Sequence, residues 1–482
     1  MITDFTSLLI GAIRWDAWFP YNTCRGFVDP SLYSKYNYRM PFYGWFDTCV
    51  ESEEEIMHKQ IEFAAEANLD FWSFVWYPED SEAEEARKLS YALRNYMKAS
   101  NHYKLKFALI LQTGWVAGKG TEKWRNSYVA EIVDKIKDKQ YVKVEGNRPL
   151  IFWMDTSFLS DKTKGFGENW HEEMEYFKEE VCKAGFGIPF IADMRNDYDS
   201  AIKFGFDAVS DYGPASVGHV GHRSYRELVR HDWEKIKDVK GLKVVPGVSA
   251  LIDPRPRELG EFCKYSDFTY GHSFEIPTAY EWIEHLKSMA FWLKENKDRT
   301  CDPGVLVIYS WNEIDEGGPG IVPTKQEGTM FLDGIKAVKT GIYPEFVINR
   351  VNNSNPSIRY TGSFEVQFPV YECYCNELSY SSTLGDYFEF DFIGSNVSFI
   401  GEKGPGCGAT EVYLDGILAE KISLFEFERK FQVIFRSETL KHERHFLKVV
   451  IVEKNNIPMN GNYFALDCII YESQIMDGSK YK

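Results

Sequence analysis

The strongest constraint on the fold is an alternation that runs from the start of the chain to about residue 340. Short apolar runs, rich in β-branched and aromatic residues, are separated by amphipathic, charge-rich segments. The runs are Leu8–Trp15, Phe71–Tyr77, Phe107–Gln112, Pro149–Asp155, Pro189–Asp193, Ala208–Tyr212, Lys243–Val248 and Val305–Trp311. Between them lie predicted helices. Ser52–Asn68 opens with Ser52 and Glu55 in capping-box spacing, and Thr324–Lys339 opens with Thr324 and Glu327 likewise. Strand followed by helix, eight times over, predicts an α/β fold, a parallel (β/α)8 TIM barrel occupying residues 1–345. The alternative, an open doubly wound sheet, would want a glycine-rich phosphate loop after its first strand, and none follows Leu8–Trp15.

Beyond Tyr343-Pro344 the texture changes. A polar stretch, 346–356, is predicted as a linker. The segments Phe388–Phe392, Val397–Ile400, Glu411–Leu414, Phe431–Phe435, Phe446–Val452 and Phe464–Tyr471 then read as strands, punctuated by turns such as Asp415-Gly416 and Asn460-Gly461. They predict a C-terminal all-β jelly roll or β-sandwich over 357–482.

Charge narrows the partners. With 55 Lys plus Arg against 72 Asp plus Glu, the net charge of −17 repels phosphate backbones and anionic lipid, so neither nucleic acid nor membrane is expected as a partner. No apolar run approaches the roughly 20 residues of a membrane span, and Leu8–Ile13 is too short and lacks the basic flank of a signal segment. Nine Cys without CxxC or zinc spacing argue against a disulfide framework and a structural metal. The expected setting is cytoplasmic, or periplasmic or secreted if a signal peptide has been removed, and the expected state is a monomer or weak oligomer. Aromatic residues make up 16% of the chain, an excess that either core packing or the flat apolar walls of a sugar site would absorb.

In a parallel barrel the site lies where the strands end. The ends here carry Trp15 and Asp16, Trp76 and Tyr77, Trp115, Asp155, Arg195, Asp211 and Tyr212, Asp253 and Arg255, and finally Trp311, Asn312, Glu313 and Glu316. Any one strand-end Asp can instead cap the next helix. Glu313 and Glu316, three apart on the turn leaving the last strand, can project two carboxylates into one cleft. Glycosidic cleavage needs such a pair: one group protonates the departing oxygen while the other supports the developing oxocarbenium-like carbon. The Trp residues would stack on sugar rings. The arginines would meet hydroxyls or an acidic sugar, or else pair with the rim Asp residues. His219 and His222 have a spacing that would suit a metal only on a helix, which Gly218 and Gly221 disfavour, so no catalytic metal and no cofactor are expected.

The segment Tyr309-Ser310-Trp311-Asn312-Glu313-Ile314-Asp315-Glu316-Gly317 resembles the Asn-Glu-Trp-x-Glu-Gly signature of glycoside hydrolase family 99 and the related WbsX-like proteins. Ile10-Gly11-Ala12 through Trp18, Asn68 to Tyr77, Arg148 to Phe152, Phe206 to Val209, and Pro246 to Val248 with Asp253 and Arg255 are similar to that family in the same order. The resemblance implies a (β/α)8 barrel and an endo-acting α-mannosidase or α-mannanase type of chemistry, with retention through a 1,2-anhydro sugar. By position, Glu316 would be the general acid/base and Glu313 the base at the sugar 2-hydroxyl. The family's usual Trp-His between the two acids is Ile314-Asp315 here, and a similar acid-x-x-Glu arrangement occurs in fungal α-1,3-glucanases. The sugar is therefore left open, and the alternatives to a glycoside hydrolase are a glycosyltransferase of surface-polysaccharide biosynthesis, which would normally want a diphosphate cradle that no strand end supplies, or a non-catalytic glycan-binding protein using the aromatic rim. The C-terminal motifs Tyr360-Thr361-Gly362, Val412-Tyr413-Leu414-Asp415-Gly416 and His445 to Val449 resemble galactose-binding-like jelly rolls, which implies either a sugar-binding or a packing module.

Overall fold

A computed structural model of the chain describes residues 5–16, 18, 32, 34–45, 53–79, 88–118, 120–213, 221–258, 272–316, 318, 320–453 and 461–475. The strands β1 (Leu9–Arg14), β2 (Phe71–Val75), β3 (Lys106–Gln112), β4 (Arg148–Met154), β5 (Phe190–Asp193), β6 (Ala208–Val209), β7 (Lys243–Val244), β8 (Gly247–Ser249) and β9 (Val305–Tyr309) pair in parallel. Their order is β8-β9-β1-β2-β3-β4-β5-β6-β7. The two ends of this order, β7 and β8, are separated in the chain only by Val245 and Pro246. Val245 N–H reaches the Val209 carbonyl at 2.9 Å, and the Pro246 carbonyl accepts from Val307 N–H at 3.0 Å. Proline has no N–H to offer a ladder, so the expected run Lys243–Val248 is broken there. Its first half bonds β6 and its second half β9, as in a TIM-like barrel.

Every residue of β2 and β9 is buried. That is what a parallel sheet covered on both sides requires, and it explains why these runs are apolar at successive positions rather than at alternate ones. Gly11 on β1 is required by packing: a Cβ there would sit 2.3 Å from the Phe71 ring. The helices α1 (Glu53–Glu66), α2 (Tyr91–Lys98), α3 (Val129–Ile136), α4 (Trp170–Lys183), α5 (Tyr198–Lys203), α6 (Tyr225–Lys237), α7 (Ala279–Glu295) and α8 (Met330–Thr340) return the chain between and after the strands. A capping box does occur, but at Thr278 and Glu281 ahead of α7. Of the two positions expected for one, Ser52 lies outside the described residues, and at the other Thr324 Oγ1 accepts the Glu327 N–H at 3.0 Å. That bond closes a turn, because Gly328 follows at φ +56° and the helix begins only at Met330.

The C-terminal region is all-β. One antiparallel sheet joins Glu365–Gln367, Leu378–Ser381, Phe464–Gln474, Asn396–Lys403 and Lys430–Arg436; the other joins Ile358–Thr361, Tyr387–Gly394, Glu443–Glu453, Ala409–Leu414 and Ile417–Ser423. Their facing sides share a core that includes Phe388, Phe399, Leu447, Phe464 and Ile469. Most of the stretch expected as a linker is structured: Phe346–Asn352 is a strand paired along its whole length with Phe464–Gln474. Its inward positions include Asn349, which accepts the Tyr280 N–H at 3.0 Å and donates to Ser473 Oγ at 3.1 Å, so its polarity marks a bonded seam and not a free tether. A second apolar cluster joins the two parts, with Trp18, Tyr36, Tyr38 and Ile314 packed among Tyr374, Cys375 and Cys468. Cys182, Cys301, Cys373, Cys375 and Cys468 are free thiols, and among the described residues no helix is long and apolar enough to cross a membrane.

Candidate active site

Glu313 lies on the turn that leaves β9 and is 2% exposed. Both of its carboxylate oxygens receive phenol donors. The Tyr212 hydroxyl donates to Oε1, and the Tyr309 hydroxyl donates to Oε2 at 3.2 Å. Tyr212 comes from the chain leaving β6 and Tyr309 is the last residue of β9, so the clamp spans two strands of the sheet. Between them stands Gly213, at φ +97°, where a Cβ would lie 2.9 Å from the Tyr309 ring. Burial, then the Glu313 carboxylate, push the Tyr212 phenol well above its ordinary value. It therefore stays a protonated donor at any working pH. Tyr77 and Glu316 lie within electrostatic reach of the same hydroxyl.

Glu316, half-buried, follows one turn later, its N–H on the Glu313 carbonyl at 3.3 Å. The turn is braced from below. Asp253 N–H donates to the Glu316 carbonyl at 2.9 Å, and Arg39 Nη1 donates to the carbonyls of Asp253 at 2.9 Å and Ile314 at 3.2 Å. Arg39 also pairs with the Asp253 carboxylate, which takes Arg255 Nε and Nη2 at 2.7 and 2.8 Å. Burial works against ionising Asp253, but Arg255 and Arg39 outweigh it and hold the carboxyl well below the usual carboxylate range. Ile314 is buried in the apolar cluster with Tyr374 and Cys375.

The remaining expected site residues separate into two groups. One is an aromatic patch, partly buried at Trp15 and Trp115: Trp15 Nε1 donates to the Tyr77 hydroxyl at 2.7 Å, and the Tyr77 and Trp115 rings meet edge-on at 5.3 Å. Beside it runs a polar line in which Gln112 Nε2 donates to Asp155 at 2.8 Å, Arg195 lies 3.7 Å from Asp155, and the Arg195 guanidinium sits 5.7 Å from the Tyr212 ring centre. Arg195 is exposed.

The other expected residues are structural. Trp76 and Trp311, expected as stacking walls, are 1% and 0% exposed; their indole N–H groups donate to Glu131 at 3.1 Å and Gln60 at 2.8 Å inside the protein. Asp16 is locked between Arg14 at 2.8 Å and Asn312 at 3.0 Å. Asn312 in turn accepts the Trp15 N–H at 3.2 Å, which ties the end of β1 to the end of β9. Asp211 is paired with Lys235, and Asp253 with its two arginines. His222 bonds Ser273 Oγ at 2.7 Å and Glu275, which takes Ser354 of the all-β region at 3.1 Å; it is a brace between the two parts. His219 lies outside the described residues. Among the described residues no cluster of His, Cys, Asp or Glu has the make-up of a metal site.

Tyr309 and Arg39 are not among the residues the sequence singles out, and Gln112 is marked only as the end of its apolar run. Tyr309 falls inside the apolar run Val305–Trp311, and its place four residues before Glu313 is the one signal it offers. Arg39 sits in an aperiodic stretch that offered none.

No family model matches the chain. Two curated proteins of Flavonifractor plautii are similar to it. An A type blood N-acetyl-alpha-D-galactosamine deacetylase is 27% identical over 163 residues, 33% of this chain and 20% of the relative. An A type blood alpha-D-galactosamine galactosaminidase is 29% identical over 106 residues, 22% of this chain and 10% of the relative. The chain thus spans a fifth or less of the length of the curated relatives it matches. Among solved structures, a glycoside hydrolase-like protein aligns over 71% of this chain and 96% of its own at a TM-score of 0.45 and 11% identity. The family 99 endo-alpha-mannosidase from Bacteroides thetaiotaomicron aligns over 70% and 97% at a TM-score of 0.39 and 12% identity.

Proposed function

We propose that the chain is a glycoside hydrolase that cleaves an oligosaccharide or polysaccharide with Glu313 and Glu316. In this reading a (β/α)8 barrel over residues 1–345 carries the chemistry, and a β-sandwich of the jelly-roll kind from residue 357 supports it. The observation that carries the proposal is the clamp on Glu313. Two phenols from different strands hold one buried carboxylate at a fixed place while Glu316, one turn on, stays partly open to the cleft. Trp15 and Trp115, with the buried Tyr77 behind them, supply the apolar face on which a pyranose ring stacks, and Gln112, Asp155 and Arg195 the polar edge that meets its hydroxyls.

The roles follow from exposure. Glu316, reachable from solvent, protonates the departing glycosidic oxygen as the C1–O bond breaks, and later takes a proton from the incoming water. Glu313, fixed and without a solvent path of its own, takes the 2-hydroxyl proton as that oxygen closes on C1 to form a 1,2-anhydro sugar. It returns the proton when water opens the ring. Each carboxylate serves one of two adjacent oxygens, and the outcome is retention.

The test is hydrolysis of a glycan panel, with and without nucleotide sugars, by the parent and by Glu313→Gln and Glu316→Gln. Hydrolysis by the parent and its loss in both variants is expected. Cleavage by Glu316→Gln at the parent rate, or transfer only in the presence of a nucleotide sugar, refutes the proposal. NMR of the first-formed anomer checks retention.

A further inference from the structure

A cavity of about 320 Å³ lies in the seam between the barrel and the all-β region, apart from the carboxylate pair. Its barrel wall is Arg226 and Tyr280, from the first turns of α6 and α7; the opposite wall includes Phe392, His442, Arg444 and Tyr471. Helices that return antiparallel to barrel strands begin on the face where those strands end. The barrel wall of the cavity therefore lies towards the same face as Glu313 and Glu316.

Three observations describe what it would hold. First, its lining is amphiphilic, combining the rings of Tyr280, Phe392 and Tyr471 with side-chain donors. Flat apolar faces beside polar groups match the two sides of a pyranose ring. Second, in a chain of net charge −17 it gathers Arg226, Arg444 and His442 with one lining acid, Asp391, and with Glu281 3.5 Å from Arg226 just outside the lining, so the positive groups still outnumber the acids if His442 is counted. Asp391 is shared by Arg444 at 3.2 Å and Arg359 at 2.8 Å. The side chains of Arg226 and Arg444 are 82% and 75% exposed, so both heads have room to turn onto an anion. Third, the walls are tied to each other. Tyr280 N–H donates to Asn349, Asn349 to Ser473 Oγ at 3.1 Å, Ser473 Oγ to the Ile393 carbonyl at 2.7 Å, and Gln474 N–H to His442 Nε2 at 3.0 Å. The cavity is thus preorganised, and its volume sits at the lower end of the roughly 300–1,000 Å³ typical of small-molecule sites.

We propose that this cavity is a second saccharide-binding site, specific for a sugar bearing a carboxylate. The acid group would lie on Arg226 and Arg444, and the ring would lie against Tyr280 and Tyr471. This rests on the glycan reading above and adds to it an acidic class of substrate, held by the seam while the barrel cuts elsewhere on the same chain.

The test uses the full chain carrying Glu316→Gln and titrates tetragalacturonate by calorimetry, with neutral galactotetraose as the control. Expected is binding of the acidic tetraose only, weakened roughly tenfold or more by Arg226→Gln with Arg444→Gln, as for loss of charge-assisted contacts, and likewise by Tyr280→Ala. Thermal melts confirm that these variants are folded. The inference is overturned if tetragalacturonate does not bind at millimolar concentration, if the neutral tetraose binds equally, or if the arginine variant binds as well as its parent. The hydrolysis assay reports separately. Cleavage of glycans without this binding removes the second site alone, and binding without any cleavage removes the catalytic reading and leaves the site standing.

Discussion

Replacing Tyr212 with Phe isolates the clamp on Glu313, because the ring stays and only the hydroxyl goes. A hydrogen bond to a charged acceptor contributes roughly 1.5–3 kcal/mol, which corresponds to roughly 10- to 150-fold in rate if all of it is lost. The upper part of that range is expected here, because Glu313 is 2% exposed and water has little access to replace the donor. The loss has a direction in pH. A donor to the ionised carboxylate favours that form, so removing it moves the acid limb of the kcat profile upward. The deficit is largest on the acid side and shrinks towards the plateau, where only misplacement of the carboxylate remains. Tyr309→Phe, which removes a longer bond of 3.2 Å, should cost less, roughly 2- to 10-fold. The assay is kcat against pH on whichever glycan the parent cleaves, with denaturant melts to show that both variants are folded. An unmoved acid limb with kcat within twofold of the parent refutes the argument, as does a larger loss for Tyr309→Phe than for Tyr212→Phe.

Arg39→Met removes one cation from a buried pair and leaves Asp253 with Arg255 alone; about 3–5 kcal/mol of stability should go, read by denaturant unfolding. Activity should fall too, because Arg39 also holds the Ile314 carbonyl. The folded-state depression of the Asp253 pKa gives it a sign in pH. Its stabilisation is complete above the unfolded value of about 3.9 and is lost as pH falls below it; an acid-melt curve unchanged in Arg39→Met contradicts this. Glu131 behaves in the opposite sense. Burial, then the neighbouring Glu79, raise it to about 7, so stability should decline as pH rises from about 4.5 to about 7, by on the order of 3 kcal/mol. Glu131→Gln, whose amide can still accept from Trp76, should flatten that slope. Prolonged EDTA treatment should leave kcat unchanged; a loss restored by a divalent ion refutes a reaction that runs on carboxylates alone.

Much of the barrel was legible because parallel strands, covered on both faces, write themselves as unbroken apolar runs. Which strand-end residues face the cleft was not legible from the same runs, and Trp76 beside Tyr77 shows why. Successive side chains on an extended chain point to opposite sides. Tyr77 turns to Trp15 and Trp115, so Trp76 turns to the helix layer and Glu131. A list of strand ends therefore contains about as many braces as contacts, and only alternation anchored on one placed residue separates them. The acids obey a similar limit. Asp16, Asp211 and Asp253 each stand at a strand end, but each meets a cation: Asp16 meets Arg14 two residues before it, while Lys235 and Arg39 reach Asp211 and Asp253 from positions that no local spacing connects to them. Glu313 is distinguished by a phenol donor on each carboxylate oxygen, Tyr212 on one and Tyr309 on the other. That clamp joins the chain leaving β6 to the end of β9, and the spacing of Glu313 and Glu316 carries no sign of it.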